Sequence, residues 1–130
     1  MRIAWVTPLG VQSAIAEYSI NVAEALSKSF DIRILASDPP PWRDTSLPSS
    51  PLGAVSTGEL MTFDVRIYNM GDHAAFHSRA YEASRRAPGY CVLHDRSYQS
   101  LFASMSGLTR KATRARRPGC AAARRRRPGT

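Results

Sequence analysis

The sequence predicts an α/β fold, a Rossmann-like parallel sheet flanked by helices. Three observations carry the prediction. Short β-rich apolar runs recur along residues 1–100, bounded by Pro, Gly or Asp. Between them lie longer stretches with apolar residues at helical spacing. The resulting order, β-α-β-loop-β-α-β-α, places parallel strands in the middle and crossover helices on the faces.

Residues 2–7 (RIAWVT) read as a buried first strand, ended by Pro8 and Gly10. Ser13 is a suitable N-cap for a helix that runs to residues 28–30. Along it Ile15, Tyr18, Val22 and Leu26 form an apolar stripe, and Ala14, Ala16, Ala23 and Ala25 raise helix propensity. Residues 31–36 (DIRILA) alternate as a second strand. Residues 37–60 read as a loop carrying five prolines (39, 40, 41, 48 and 51), a length that often belongs to a binding edge. Residues 63–70 (FDVRIYNM) are the third strand. Gly71-Asp72 then turns the chain, with Asp72 as cap of a helix over 73–86 that Pro88-Gly89 stops. Residues 90–94 (YCVLH) form the fourth strand, and 97–105 begin a third helix.

The formal charge of +8 is unevenly distributed. Residues 1–106 hold nine basic side chains and all ten acids, a balance of −1; residues 107–130 hold eight Arg and one Lys, a balance of +9. The first segment is expected to be the folded domain, and the second, with Leu108 as its one large aliphatic, a disordered Arg-rich tail. Arg, Ala, Gly and Pro supply 18 of its 24 residues, the amino acids of G/C-rich codons. The favoured reading is therefore a shifted frame or premature end. The competing one is an arm that binds nucleic acid or acidic lipid through phosphates, without aromatics for base stacking.

A hydrophobic content of 43% excludes disorder throughout. No stretch approaches the ~18 apolar residues of a membrane-spanning helix, and the broken apolar run at the start does not fit a signal peptide. Cys91 and Cys120 form neither a disulfide framework nor a Cys-based zinc site. These features favour a cytoplasmic protein, with peripheral attachment to a membrane as the alternative, and imply no cofactor.

In a parallel sheet the ligand crevice lies outside the carboxyl ends of the strands. In this sequence those ends are 8–13, 37–38, 69–73 and 94–95, and two of the three histidines lie there. Gly10, Gln12 and Ser13 lead into a helix whose first N–H groups suit a phosphate or carboxylate; a plain strand-to-helix turn explains them equally. Asp38 occupies the place of a ribose-binding acid, but without G-x-G-x-x-G an NAD site is not supported. His73 and His77 stand four residues apart. A zinc-protease base is missing because Ala74 follows His73, and a three-His site with His94 is the weaker reading beside hydrogen bonding to a ligand. His94 can donate to a sugar hydroxyl or phosphate, with Asp95 fixing its orientation or capping the next helix. No Ser-His-Asp or Cys-His arrangement is present, and Glu17 and Glu24 lack a paired acid role.

Taken together, RIAWVTPL, QSAIAEYS and FDVRIYNMGDHAAFHSRAYEASRRAPGYCVLHD resemble the N-terminal half of a family 4 (group 1) glycosyltransferase with the GT-B fold. The resemblance covers about residues 1–100, and Gly71, His77, Tyr81, Pro88, Gly89, Leu93, His94 and Asp95 fit its pattern. Ala14 stands where the family usually has Gly, and Asp72 where it usually has Asn. The resemblance implies an acceptor-side domain. His94 would contact the donor sugar as the catalytic-side residue; Gly10, Gln12 and Ser13 would line the cleft floor, beside Gly71, Asp72, His77 and Asp95. Its partners would be a nucleotide-sugar donor and an acceptor of unspecified kind, with no metal. Because the family's nucleotide site and paired-glutamate motif belong to a C-terminal domain, the chain is expected to be a truncated fragment without transferase activity of its own. The alternatives are a non-enzymatic nucleic-acid-binding protein using the tail and, more weakly, a flavodoxin-like domain.

Overall fold

A computed structural model describes residues 1–107. The expected disorder of the basic tail concerns residues that, apart from Gly107, lie outside those described. Five parallel strands, β1 (Arg2–Thr7), β2 (Asp31–Ala36), β3 (Ser49–Pro51), β4 (Val65–Met70) and β5 (Tyr90–Leu93), form one sheet in the order β3-β2-β1-β4-β5. Four helices accompany it: α1 (Ala14–Leu26), α2 (Thr57–Met61), α3 (Ala74–Arg86) and α4 (Gln99–Ser106). The α/β class with a parallel, helix-flanked sheet is therefore observed.

The central strand explains the layering. β1 pairs with β2 from Arg2↔Asp31 to Thr7↔Ala36, and with β4 from Ile3↔Val65 to Val6↔Tyr68. Successive side chains of a strand point to opposite faces, so β1 feeds two cores. Ile3 and Trp5 join Ile20, Ala23, Ile32 and Ile34 under α1. Ala4 and Val6 join Leu35, Tyr68, Met70, Ala80 and Leu101 under α3 and α4. Burial on both faces is why RIAWVT reads as a continuous apolar run.

Four expectations are corrected. The segment 37–60 is not loop throughout. Ile34 donates to the Pro48 carbonyl at 2.9 Å, β3 adds an edge strand, Leu52–Ala54 makes a 3-10 turn, and Ser56 caps α2 through Glu59 N at 3.1 Å. Pro51 is tolerated because β3 lies at the sheet edge. Second, α1 buries Ala16, Ser19, Ile20 and Ala23, while Tyr18 is 51% exposed. The small residues let the helix approach the sheet, and Ser19 Oγ accepts the buried Trp5 indole N–H at 2.6 Å. Third, Asp72 does not cap α3, whose N-cap position is His73 with no side-chain bond. Asp72 Oδ1 instead accepts from Leu101 N, 3.0 Å away in the first turn of α4. Fourth, the third predicted strand begins at Val65, because Phe63 turns into the core below α2.

Candidate functional site

The strand order reverses direction at β1. The connection through α1 leads to β2 on one side, and β4 with α3 and β5 lies on the other. A crevice at such a switch point is the ordinary ligand position in an open parallel sheet. The carboxyl ends of β1, β4 and β5 bring their polar residues together there.

At the end of β1 the loop is held rigidly. Asp38, 2% exposed, accepts from Leu9 N and Gly10 N, both at 2.7 Å. Its carboxylate is thereby occupied in fixing the turn, which gives it a structural role in place of ribose recognition. The proline loop closes over the same turn: Val11 N donates to the Pro41 carbonyl, Arg43 N to the Leu9 carbonyl, and Trp42 Nε1 to the Asp38 carbonyl. Ser13 Oγ accepts from Ala16 N at 3.3 Å, the N-cap role expected from sequence. Gly10 and Gln12 line a pocket of about 200 Å³ with Asp38, Pro39, Pro40 and Phe76.

At the end of β4, Gly71 forms the contact between the two sides. A Cβ placed on it would lie 2.8 Å from His77 Nε2, 2.9 Å from Asp95 Oδ2 and 2.9 Å from Ile15 Cδ1. Those atoms belong to α3, the segment after β5, and α1. Asp95 Oδ2 accepts from Asp72 N at 2.7 Å, and the Tyr98 hydroxyl donates to the Met70 carbonyl at 3.0 Å. Asp72, His73, Asp95 and Ser100 border a hollow of about 530 Å³. A wider hollow of about 1210 Å³ between α3 and α4 contains none of the predicted site residues.

The histidines differ in environment. His77 is 2% exposed, and its Nδ1 has no hydrogen-bond partner. Burial lowers its pKa from the ordinary value, against the opposing pull of the Asn69 backbone and Asp95. His94 is half-buried, with Nε2 3.1 Å from Asn69 Oδ1. Burial lowers its pKa too, against the Asp95 charge. His73 stacks on Phe76 with centroids 4.7 Å apart. Among the described residues no group of three or more His, Cys, Asp or Glu is arranged to hold a metal ion.

The structure thus gathers Gly71, Asp72, His77, His94 and Asp95 at one place, and puts Gly10, Gln12 and Ser13 on the neighbouring loop, joined to it through Ile15. Sequence reasoning missed two contributors. Tyr18 leaves the buried stripe and meets the His94 ring edge-on, centroids 5.2 Å apart. Asn69, fully buried near the end of β4, bridges His94 to β1. An amide inside an otherwise apolar strand end was the available signal for it.

Comparisons with protein-family models, curated proteins and solved structures found no match to this chain. Among the described residues no helix is long and apolar enough to cross a membrane.

Proposed function

We propose that residues 1–107 form the acceptor-side domain of a GT-B glycosyltransferase, whose intact form moves a sugar from a nucleotide-sugar to an acceptor hydroxyl. The observation that carries this reading is the convergence of His94, Asp95, Gly71 and the α1 entry loop at the switch point of a parallel sheet. Its chemistry suits hydroxyls. Asp95 is exposed and offers carboxylate oxygen, and His94 offers imidazole nitrogen. Leu9, Gly10 and Val11 N–H groups are already bonded within the protein and are not offered to a phosphate. In this reading the diphosphate is held mainly by a second domain across the cleft, where positive groups and helix N-termini stabilise its departure.

The test is an NMR titration of the 130-residue chain with UDP-glucose, GDP-mannose and methyl glucoside. Shifts confined to Gln12, Gly71, His94 and Asp95, at dissociation constants of about 1 mM, or about 4 kcal/mol, are the expected result. No response at those positions to any of the three would refute the reading. The chain alone is expected to show no sugar transfer.

A second reading is favoured by the +9 charge of residues 107–130. It has the chain bind RNA or DNA through phosphate contacts, with affinity falling steeply as salt rises. Deleting residues 108–130 abolishes binding on this reading and leaves the sugar titration unchanged on the first.

A further inference from the structure

We propose that Asn69 is a positioning residue that holds His94 in the Nε2–H tautomer, so that His94 meets a ligand as a hydrogen-bond acceptor through Nδ1. The inference rests on the reading that His94 faces the ligand, and adds which way the proton points and which chemistry is thereby selected.

The chain of bonds is directional. Asn69 Nδ2 lies 3.2 Å from the Val6 carbonyl oxygen, which can only accept. The amide NH₂ must therefore face Val6, since a flipped amide would set two acceptor oxygens against each other. Asn69 Oδ1 is then turned to His94 Nε2 at 3.1 Å, and an amide oxygen carries no proton to give. The proton between them belongs to Nε2. In neutral imidazole the other nitrogen, Nδ1, is left with a lone pair.

Both ends of this relay are held. Asn69 is fully buried in β4, which pairs with β1 where Val6 lies. The His94 backbone N–H donates to the Met70 carbonyl at 2.9 Å, and Tyr18 packs edge-on against the ring at an interplanar angle of 76°. Among the described residues the buried side-chain atoms without a partner are Arg43 Nε and His77 Nδ1. Among the described residues His94 Nδ1 has no hydrogen-bond partner either, and it is not one of those buried atoms, so it is the ring nitrogen left for a ligand.

The groups that face this imidazole are Asp95 beside it, His77 on α3 and Tyr18 on α1. Asp95 favours the imidazolium, while burial outweighs it and favours the neutral ring. A neutral Nδ1 accepts a hydrogen bond from a sugar hydroxyl and repels the lone pairs of an unprotonated phosphate oxygen. The pairing therefore selects hydroxyl over phosphate at this position, and Asn69 sets that preference without touching the ligand.

The decisive measurement is a two-bond ¹H–¹⁵N correlation spectrum of the 130-residue chain labelled at histidine, recorded from pH 5 to 8.5. Neutral His94 is expected to show protonated Nε2, lone-pair Nδ1 and a resolved Nε2 proton. That proton resonance is lost in Asn69→Ala, while the tautomer of His77 stays the same. A neutral His94 protonated at Nδ1 would overturn the proposal, and this is read on the unaltered protein even if the variant does not fold. A folded Asn69→Ala variant with an unchanged His94 pattern would overturn it equally. Above the His94 pKa, methyl glucoside is expected to shift Nδ1, and dimethyl phosphate, which has no hydroxyl to donate, to leave it still; a response to dimethyl phosphate alone counts against hydroxyl selection. The Nε2–H pattern with no response to methyl glucoside would remove the sugar reading and leave the Asn69–His94 pairing standing.

Discussion

Replacing Gly71 by Ala tests whether the three sides of the site are as closely packed as they stand. The added methyl carbon meets His77 Nε2, Asp95 Oδ2 and Ile15 Cδ1, all nearer than 3.0 Å. Asp95 is exposed and the Ile15 terminus is flexible, so both can yield; His77, 2% exposed and enclosed by α3 and the sheet, has nowhere to go. Overpacking of this kind costs about 1–3 kcal/mol. Against it, Gly→Ala lowers the entropy of the unfolded chain, a gain of about 0.4–1 kcal/mol where the backbone fits. The net expectation is a loss of about 1–2 kcal/mol, which for a domain of this size lowers Tm by roughly 4–12 °C. Thermal unfolding followed by circular dichroism reads it. Combining Gly71→Ala with Ile15→Val removes one of the three clashes, so the double variant is expected to lose less than the sum of the single losses. An unchanged or raised Tm in Gly71→Ala would refute the close packing of α1, α3 and the β5 terminus at this point.

Two further outcomes are expected. Ser19→Ala strands the buried Trp5 indole N–H and costs about 1–3 kcal/mol, measured by urea denaturation; a loss below experimental error would show that the indole finds another acceptor. His77 has its pKa lowered by burial, so the folded state takes up its proton later than the unfolded chain does. Its contribution is fully present above pH 6.5, the unperturbed value, and is lost as the pH falls through the lower folded value. Urea midpoints of the wild type should accordingly fall below pH 6.5 more steeply than those of His77→Gln, and parallel pH profiles would contradict this.

The strands in the middle of the sheet were legible by two patterns: burial on both faces writes a nearly unbroken apolar run in RIAWVT, and exposed Asp31 and Arg33 alternate with buried Ile32 and Ile34 in DIRILA. β3 was hidden because an edge strand of three residues, SSP, has no apolar pattern to display. The helix α1 was legible in extent but not in facing. Tyr18 satisfies helical spacing as well as Ile20 does, and only the sheet surface decides that alanine and serine belong underneath. Among site residues, His73, His94 and Asp95 were found by position at strand ends, and His77 by its four-residue spacing from His73. Asp38 was also found, but its task was not legible, since its partners are backbone N–H groups 28 and 29 residues earlier. Asp72 shows the same difficulty: proximity in sequence suggested α3, and the fold offered it α4.

The position of β1 between β2 and β4 has a consequence for synthesis. Of the five strands β1 is made before the others, and it can gain one neighbour as soon as β2 follows. Its other edge must wait for Val65, its partner through Ile3. At translation speeds of about 5–20 residues per second, that interval lasts roughly 3–12 s. During it the Ala4-Trp5-Val6 run presents an unpaired apolar edge of the kind that recruits other chains. Slow translation between residues 37 and 64 would therefore lower the soluble yield of this protein, while the stability of the finished fold stayed the same.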